Sequence, residues 1–303
     1  MRPPPDATLN AGFKYVSHVP AGDHGRAILA WLSQTYDHTD DAGWRTRLAA
    51  GEIELDGRPA TEDDRVRRGQ RVVWHRPPWL EPAVPLTFDL LYEDDDLLAV
   101  AKPSGLPTAP AGGFLHHTLL RLVRARWPDA SPMHRLGRGT SGVVLFGLRP
   151  AARAEVQRAW RSGGVHKTYR ALVDGTPARA AWTIDAPIGD VAHPRLGRIA
   201  AVAPDGRPAR SHVRLLHPPS TPTRVEVDID TGRPHQIRAH LAWAGHPLNG
   251  DPLYLAGGAP RADALPGDLG YTLHAWRLRL AHPTTGAQLD LEAPLPEPLR
   301  DPA

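Results

Sequence analysis

The 303-residue chain contains no cysteine. It therefore has no disulfide bond, no thiolate nucleophile and no cysteine-ligated zinc site. Long apolar runs are also missing: the first six residues, MRPPPD, lack the apolar core of an export signal, and no later run approaches a membrane span. We therefore predict a cytoplasmic protein that does not contact a membrane.

The chain also lacks a large excess of one charge, since 36 Lys and Arg stand against 33 Asp and Glu, a net charge of +3. This weak basic bias permits a polyanionic partner without requiring one. Hydrophobic residues make up 41% of the chain, enough for a substantial core. Its 33 prolines are scattered beside Gly, Asp and Ala. This pattern indicates punctuation of short strands and turns rather than a disordered tract.

Composition and periodicity divide the chain into four segments. We predict an N-terminal extension over residues 1–21, a small α+β module over 22–78, a linker over 79–88 and a large domain over 89–303. The linker prediction depends on four prolines in the nine residues from Pro77 to Pro85. Proline fixes the backbone and removes hydrogen-bond donors, which is typical of a connection between domains.

The pattern of apolar residues predicts many short strands and few helices. Helices are expected at residues 26–36, 44–48, 119–127, 151–160 and 234–244. Strands are expected within 51–57, 66–74, 90–102, 142–148, 165–173, 213–216 and 225–229, with closing strands near the C-terminus. Short strands interleaved with few helices favour an α+β domain with a mixed, largely antiparallel sheet.

Two segments carry the strongest functional signal: HRLGRGTSG at residues 134–142 and TGRPHQIRAHL at 231–241. Together with DLLAVAKPSGLP at 96–107 and HKTYRALV at 166–173, they resemble the RluA-type RNA pseudouridine synthases. The resemblance extends over roughly residues 90 to 298. It implies isomerisation of uridine to pseudouridine in structured ribosomal or transfer RNA, with no cofactor and no metal. Residues 22–78 are similar to the alpha-L RNA-binding module that often precedes this catalytic domain.

The resemblance assigns three roles in a reaction that breaks the glycosidic bond, rotates the uracil and rejoins it through carbon. Tyr169 would stack on the base, Arg233 would pair with the catalytic carboxylate, and Arg135 would fill the gap left by the flipped base. We expect these three side chains to border one cleft. Five other side chains are expected to bind RNA: Arg138, His235, Gln236, Arg238 and Lys102.

The catalytic carboxylate is missing from the motif. The family has an Asp where this chain has Gly137, and Gly139, where relatives commonly carry an acid, is also glycine. Two nearby acids, Asp129 and Asp230, are candidates to replace it. Arg233 would be costly to leave unpaired in a site built around an ion pair, so we expect a relocated carboxylate or a bound anion beside it.

Three functional interpretations follow from these residues. The first is an RluA-type synthase that recruits another carboxylate or works inefficiently, and the second is an inactive RNA-binding homologue that keeps the base-flipping cleft. A small-molecule or metal-dependent hydrolase has little support, since no nucleophile triad or phosphate loop is visible and His235 and His240 lack the intervening glutamate of a zinc motif. Nothing in the sequence requires more than a monomer.

Overall fold

A computed structural model describes residues 8–36, 39–216, 221–264, 267 and 269–300. The chain divides into two compact units, Met1–Pro82 and Ala83–Ala303. The division lies inside the segment 79–88 for which the sequence predicts a linker. Among the described residues, no helix combines the length and apolar character needed to cross a bilayer.

The first unit packs two helices on a four-stranded antiparallel sheet. Its core is built around three tryptophans, Trp31, Trp44 and Trp74, each at most 2% exposed. The strand order is β2-β5-β3-β4, and β1 pairs with β6. The elements are β1 (Thr8–Leu9), β2 (Phe13–His18), α1 (Ile28–Thr35), α2 (Asp41–Ala49), β3 (Ile53–Leu55), β4 (Arg58–Pro59), β5 (Arg71–Arg76) and β6 (Leu80–Glu81).

The predicted extension over residues 1–21 is wrong for its second half. All six residues of β2 pair with β5, from Phe13 opposite Arg76 to His18 opposite Arg71. The ring of Tyr15 stacks on Trp74 with centroids 5.1 Å apart. The strand therefore completes the sheet and covers part of the tryptophan core. Residues 1–7 lie outside the described residues.

The second unit contains a ten-stranded sheet in the order β12-β15-β16-β11-β17-β10-β8-β7, with β9 and β18 paired to β10 and β17. Its elements, with a separate β13–β14 hairpin, are β7 (Asp89–Glu93), β8 (Leu97–Lys102), α3 (Leu119–Arg124), β9 (Ser131–Pro132), β10 (Ser141–Gly147), α4 (Pro150–Arg161), β11 (His166–Val173), β12 (Ala181–Asp185), β13 (Ile188–His193), β14 (Gly197–Val202), β15 (Arg210–Leu215), β16 (Thr223–Ile229), α5 (Gln236–Trp243), β17 (Leu273–Ala281) and β18 (Gln288–Glu292).

The predicted α+β class with a mixed, largely antiparallel sheet is confirmed. Within the described residues, the parallel pairing is between β10 and β17, and the other strand pairs are antiparallel. Gly142 permits the parallel contact, because a Cβ there would lie 2.2 Å from the carbonyl oxygen of Ala275. Its φ of 113° also lies in a region that favours glycine.

Helix α5 is the element that follows the TGRPHQIR motif. Its residues from Gln236 to Ala242 are all buried, so the helix is part of the core on every side of its first two turns. It begins after His235, whose φ of 52° is left-handed and cannot continue into the helix. The preceding loop is thereby turned toward the ends of β10, β11 and β17.

Candidate active site

One cavity of the second unit, with a volume of about 140 Å³, is lined by four separate segments of the chain. Strand pairing explains their meeting, because Tyr169 lies between Val227 and Ala275 and Ser141 lies opposite His274. The lining residues are Arg135, Leu136, Gly137, Thr140, Tyr169, Ile229, Gly232, Arg233, His235, Gln236, Ile237, Arg238, Tyr271 and Leu273. The three side chains predicted to border a cleft, Arg135, Tyr169 and Arg233, are thus brought to the same cavity.

Tyr169 forms one wall of the cavity. It follows an irregularity in β11, where the register against β17 shifts between Thr168 and Tyr169. Such bulges change the direction of a side chain and are common beside active sites. The ring packs against two core clusters of the unit. Burial raises the pKa of the Tyr169 phenol to about 12, so the wall stays uncharged at neutral pH.

The two arginines give the cavity a positive rim. Arg135 is exposed and comes from the loop before β10. Arg233 is held in place by its Nε, which donates to the carbonyl oxygen of Pro208 at 3.1 Å. Within the described part of the chain, no carboxylate forms an ion pair with either arginine. Of the two partners expected for Arg233, a relocated carboxylate or a bound anion, the described residues do not supply the carboxylate.

Gly137, which stands where the family has its catalytic aspartate, lies on the cavity wall beside two hydroxyl groups. A Cβ built on Gly137 would be 3.4 Å from Tyr271 Oη and 3.6 Å from Thr140 Oγ1, which are ordinary contact distances. The two hydroxyl oxygens are 3.3 Å apart. Among the described lining residues there is neither Asp nor Glu. The backbone thus has room for a side chain at residue 137.

Comparison with known proteins identifies the family of this chain. A family model described as RNA pseudouridylate synthase matches residues 96–243. An RNA pseudouridine synthase of Synechocystis sp. is 41% identical over 279 residues, which are 91% of this chain and 96% of that protein. The chain belongs to the RNA pseudouridine synthase family.

Two further similarities agree with this assignment. The ribosomal large subunit pseudouridine synthase D of Neisseria meningitidis serogroup B is 33% identical over 91% of this chain and 76% of its own length. The human protein RNA pseudouridylate synthase domain containing 1 has a TM-score of 0.56 and 27% identity, covering 71% of this chain and 86% of that one. The predicted membership of the RluA-type pseudouridine synthases is confirmed.

Neither candidate replacement for the missing carboxylate lines the cavity of this family member. Asp129 is an exposed loop residue, and its backbone carbonyl accepts from Arg153. Asp230 follows Ile229, and successive side chains of a strand point to opposite faces. Because Ile229 faces the cavity, Asp230 faces away and lies 3.2 Å from His212 Nε2. As replacements, both predictions are contradicted by this placement.

Gln236 organises the motif loop from within. Its Oε1 accepts from the Thr231 hydroxyl at 2.8 Å and from the backbone N–H of Arg233 at 3.0 Å. Its Nε2 donates to the Arg210 carbonyl at 2.9 Å and to Ser211 Oγ at 3.1 Å. All four hydrogen-bonding positions of the amide are used. Gln236 thus positions the Arg233 backbone, and the RNA contact expected for it stays a prediction.

Arg238 is likewise occupied. It is 8% exposed, and two of its nitrogens bind the carboxylate of Asp251 at 2.7 and 2.8 Å. Its guanidinium lies 4.3 Å from the centre of the Tyr271 ring and 5.2 Å from that of Tyr254. A cation so paired does not attract a phosphate strongly. The side chain supports the cavity wall, and its expected role as an RNA ligand stays a prediction.

His235 offers a hydrogen-bond acceptor at its Nε2 atom. The Tyr254 hydroxyl donates to the Ala200 carbonyl, so His235 Nδ1 must donate to Tyr254 Oη, 2.8 Å away. His235 is exposed, and partial desolvation together with the charge of Arg238 lowers its pKa, which favours the neutral ring at pH 7. Nε2 then carries a lone pair. This tautomer accepts a hydrogen bond from a base and does not donate to a phosphate.

Lys102 and Arg138, both predicted to bind RNA, make contacts within the protein. Lys102 is 1% exposed and its ammonium donates to the carbonyl oxygens of Pro103, Leu106 and Arg138. Arg138 packs its guanidinium 5.1 Å from the centre of the Phe114 ring. Arg138 is not among the residues that line the cavity. The two side chains hold the loop of residues 134–140 against its neighbours.

The sequence analysis overlooked Tyr271 and Thr140. Thr140 lies inside the HRLGRGTSG motif, and Tyr271 stands two residues before β17, outside the four motif segments. A usable signal existed. Loss of side chains at both Gly137 and Gly139 leaves space that another residue must fill, and a tyrosine close to a motif strand could fill it.

Proposed function

We propose that this RNA pseudouridine synthase isomerises a uridine of ribosomal RNA after turning the nucleotide out of its strand into the cavity of Arg135, Tyr169 and Arg233. The observation that carries the proposal is the meeting of these three side chains, far apart in sequence, at one cavity. A base cannot react at its glycosidic bond while stacked in a helix, so extraction is a requirement of the chemistry. The choice of ribosomal RNA follows the name of the Neisseria relative.

Each of the three side chains has a distinct role in this proposal. The uncharged ring of Tyr169 stacks on the uracil and holds it while it is detached from the ribose. Arg135, exposed at the rim, occupies the space that the nucleotide leaves in the RNA. Arg233, fixed through Pro208, holds a phosphate group of the flipped nucleotide.

We further propose that the first unit binds RNA through the turn between residues 66 and 71. Arg67, Arg68 and Arg71 are exposed around Gly69, and among the described residues no carboxylate is paired with them. Arg45 and Arg58 of the same unit are instead paired with Glu62 and Asp64. Unpaired arginines release counterions when they meet phosphate, which makes this turn the better RNA contact.

The experiment that tests the proposed function is pseudouridine mapping in a strain that lacks the gene. Purified protein is added to ribosomal and transfer RNA from that strain, and modified positions are mapped. We expect one or a few new pseudouridines in ribosomal RNA. New pseudouridines in transfer RNA alone would overturn the choice of substrate. If no RNA is modified although it binds, the chain is an RNA-binding member of the family without isomerase activity.

A further inference from the structure

The missing carboxylate leaves a question about which group reacts at the sugar. The cavity lining contains no described Asp or Glu, and Asp251, the partner of the lining residue Arg238, is bound to it through both carboxylate oxygens. The oxygen-bearing side chains of the lining are Thr140, Tyr169, Gln236 and Tyr271. Gln236 is fully hydrogen-bonded, and the phenol of Tyr169 is packed among apolar residues.

Tyr271 lies beside the position that a side chain of residue 137 would occupy. Its hydroxyl oxygen is 3.4 Å from the point where a Cβ of residue 137 would be, an ordinary contact distance. The phenol oxygen is thus next to the space of the missing carboxylate and leaves that space open.

Gly139 makes this placement of Tyr271 possible. A Cβ on residue 139 would lie 2.8 Å from Cζ, 2.9 Å from Cε1 and 3.0 Å from Oη of Tyr271. Contacts this short are not tolerated, so any other residue at 139 would push the ring away. The two glycines therefore act together. Gly137 leaves the motif position without a side chain, and Gly139 leaves space for the Tyr271 ring beside it.

We propose that Tyr271 is the catalytic residue that takes the place of the missing carboxylate, its phenol oxygen reacting at C1′ of the flipped uridine. This assignment rests on the proposed function. The surroundings suit the role, because the Thr140 hydroxyl lies 3.3 Å from the phenol oxygen. A hydrogen-bond donor at this distance stabilises negative charge on that oxygen.

The reaction balances without a co-reactant. The phenol first loses its proton to solvent, and the phenolate oxygen forms a bond to C1′ while the C1′–N1 bond breaks and its electron pair leaves with the uracil. After the uracil turns, C5 forms a bond to C1′, and the C1′–O bond breaks to return the phenolate. C5 loses a proton and N1 gains one, so the sum is an isomerisation.

The first test removes the hydroxyl alone. Tyr271→Phe keeps the ring beside Gly139, so we expect an intact fold and unchanged RNA affinity, with single-turnover pseudouridine formation slower by roughly 10³-fold or more. Tyr15→Phe, which alters a tyrosine that stacks on Trp74 in the first unit, is the matched control and keeps full activity. Unchanged activity of Tyr271→Phe would overturn the assignment.

The second test separates a catalytic role from a structural one. We expect Gly137→Asp to restore activity to Tyr271→Phe, since the backbone has room at residue 137. Activity in the Gly137→Asp/Tyr271→Phe variant, with none in Tyr271→Phe alone, would assign the loss to the missing reactive oxygen. A double variant as slow as Tyr271→Phe would contradict the proposal.

The outcomes distinguish this assignment from the proposed function. If wild-type protein forms no pseudouridine, the proposed function fails and this assignment fails with it. If wild type is active and Tyr271→Phe is equally active, the assignment fails alone. Asp268 lies outside the described residues but is only three positions before Tyr271 in sequence. The assignment requires Asp268→Asn to retain activity. If Asp268→Asn is inactive while Tyr271→Phe is active, the Asp268 carboxylate is the reacting group instead.

Discussion

Arg238 and Asp251 form a buried ion pair with two hydrogen bonds, at 2.8 Å from Nε and 2.7 Å from Nη2. The same carboxylate accepts from the backbone N–H groups of Leu253 and Tyr254. The pair thereby ties the motif helix to the turn that follows it, and it places the guanidinium against Tyr271. Arg238, the second arginine of the TGRPHQIR motif, thus holds the following turn and the Tyr271 ring in position.

Removing one charge of this pair should destabilise the protein. Asp251→Asn leaves a buried guanidinium without its counter-charge, so we expect a loss of about 3 kcal/mol in the free energy of unfolding. Asp185→Asn, which breaks an exposed pair with Arg210, is the matched control and should cost less than about 1 kcal/mol. Urea unfolding of both variants measures the difference. Similar losses for both variants would show that the buried ion pair contributes no more to stability than the exposed one.

The two motif glycines should respond differently to the same substitution. Gly137→Ala places its methyl group at ordinary contact distances, so we expect a folded protein with a free energy of unfolding within about 0.5 kcal/mol of wild type. Gly139→Ala places its methyl group 2.8 Å from the Tyr271 ring. We expect it to lose about 1–3 kcal/mol of stability and most of its activity.

A double-mutant cycle checks the cause of that loss. Tyr271→Ala removes the ring, so Gly139→Ala should then cost little additional stability. An equal cost of Gly139→Ala with and without the Tyr271 ring would show that the strain lies elsewhere.

The sequence predicted the strands and helices with strong patterns and overlooked the weak ones. Helix α5 was expected from residue 234 and begins at Gln236, since His235 has a left-handed φ of 52°. The β13–β14 hairpin, whose strands run Ile188–His193 and Gly197–Val202, was not predicted. Its residues are rich in Gly and Ala, which have low strand propensity. The hairpin forms through pairing and through burial of Ile188 and Ile199 in a core cluster.

For the site, the sequence identified the segments but not the direction of each side chain. Motif spacing placed Arg135, Tyr169 and Arg233 in the right segments, and pairing of distant strands brings them together. It could not show that Lys102 points inward or that Arg238 binds Asp251, because both depend on tertiary contacts. The role of Tyr271 depends on the space left by Gly139, which only the three-dimensional packing reveals.

Lys102 should make stability depend on pH. Burial lowers the pKa of its ammonium to about 7, from 10.5 for a free lysine. Between these values the unfolded chain binds more protons than the folded one, so the free energy of unfolding rises as the pH rises from about 7 toward 10. The stabilisation is lost as the pH falls through 7.

Lys102→Met isolates this effect. The variant cannot titrate at residue 102, so the difference in stability between wild type and variant should grow with pH over this window. Thermal unfolding at pH 6.5, 8 and 9.5 measures it. Lys167, whose pKa burial also lowers, is present in both proteins and cancels in the difference. A constant difference across the three pH values would show that Lys102 stays charged.

The exposed arginines of the first unit should contribute to RNA affinity through charge. Arg68→Ala should weaken binding and reduce the slope of log affinity against log salt by about 0.7 to 0.9, the contribution of one phosphate contact. Arg45→Ala removes an arginine that already pairs with Glu62 and should leave the slope unchanged. Filter binding or anisotropy at four salt concentrations gives both slopes, and equal slopes for the two variants would exclude this turn as the contact.

Tyr169 should act through its ring and not through its hydroxyl. Tyr169→Phe keeps the stacking surface, so we expect RNA containing the target uridine to bind nearly as well as to wild type. Tyr169→Ala removes a wall worth about 1–3 kcal/mol per stacked base and should bind correspondingly more weakly. Because the pKa of the phenol is raised to about 12, the ring is neutral from pH 6 to pH 10, and wild-type and Phe proteins should show the same pH dependence of binding. A loss for Tyr169→Phe equal to that for Tyr169→Ala would assign the contact to the hydroxyl and remove stacking from the mechanism.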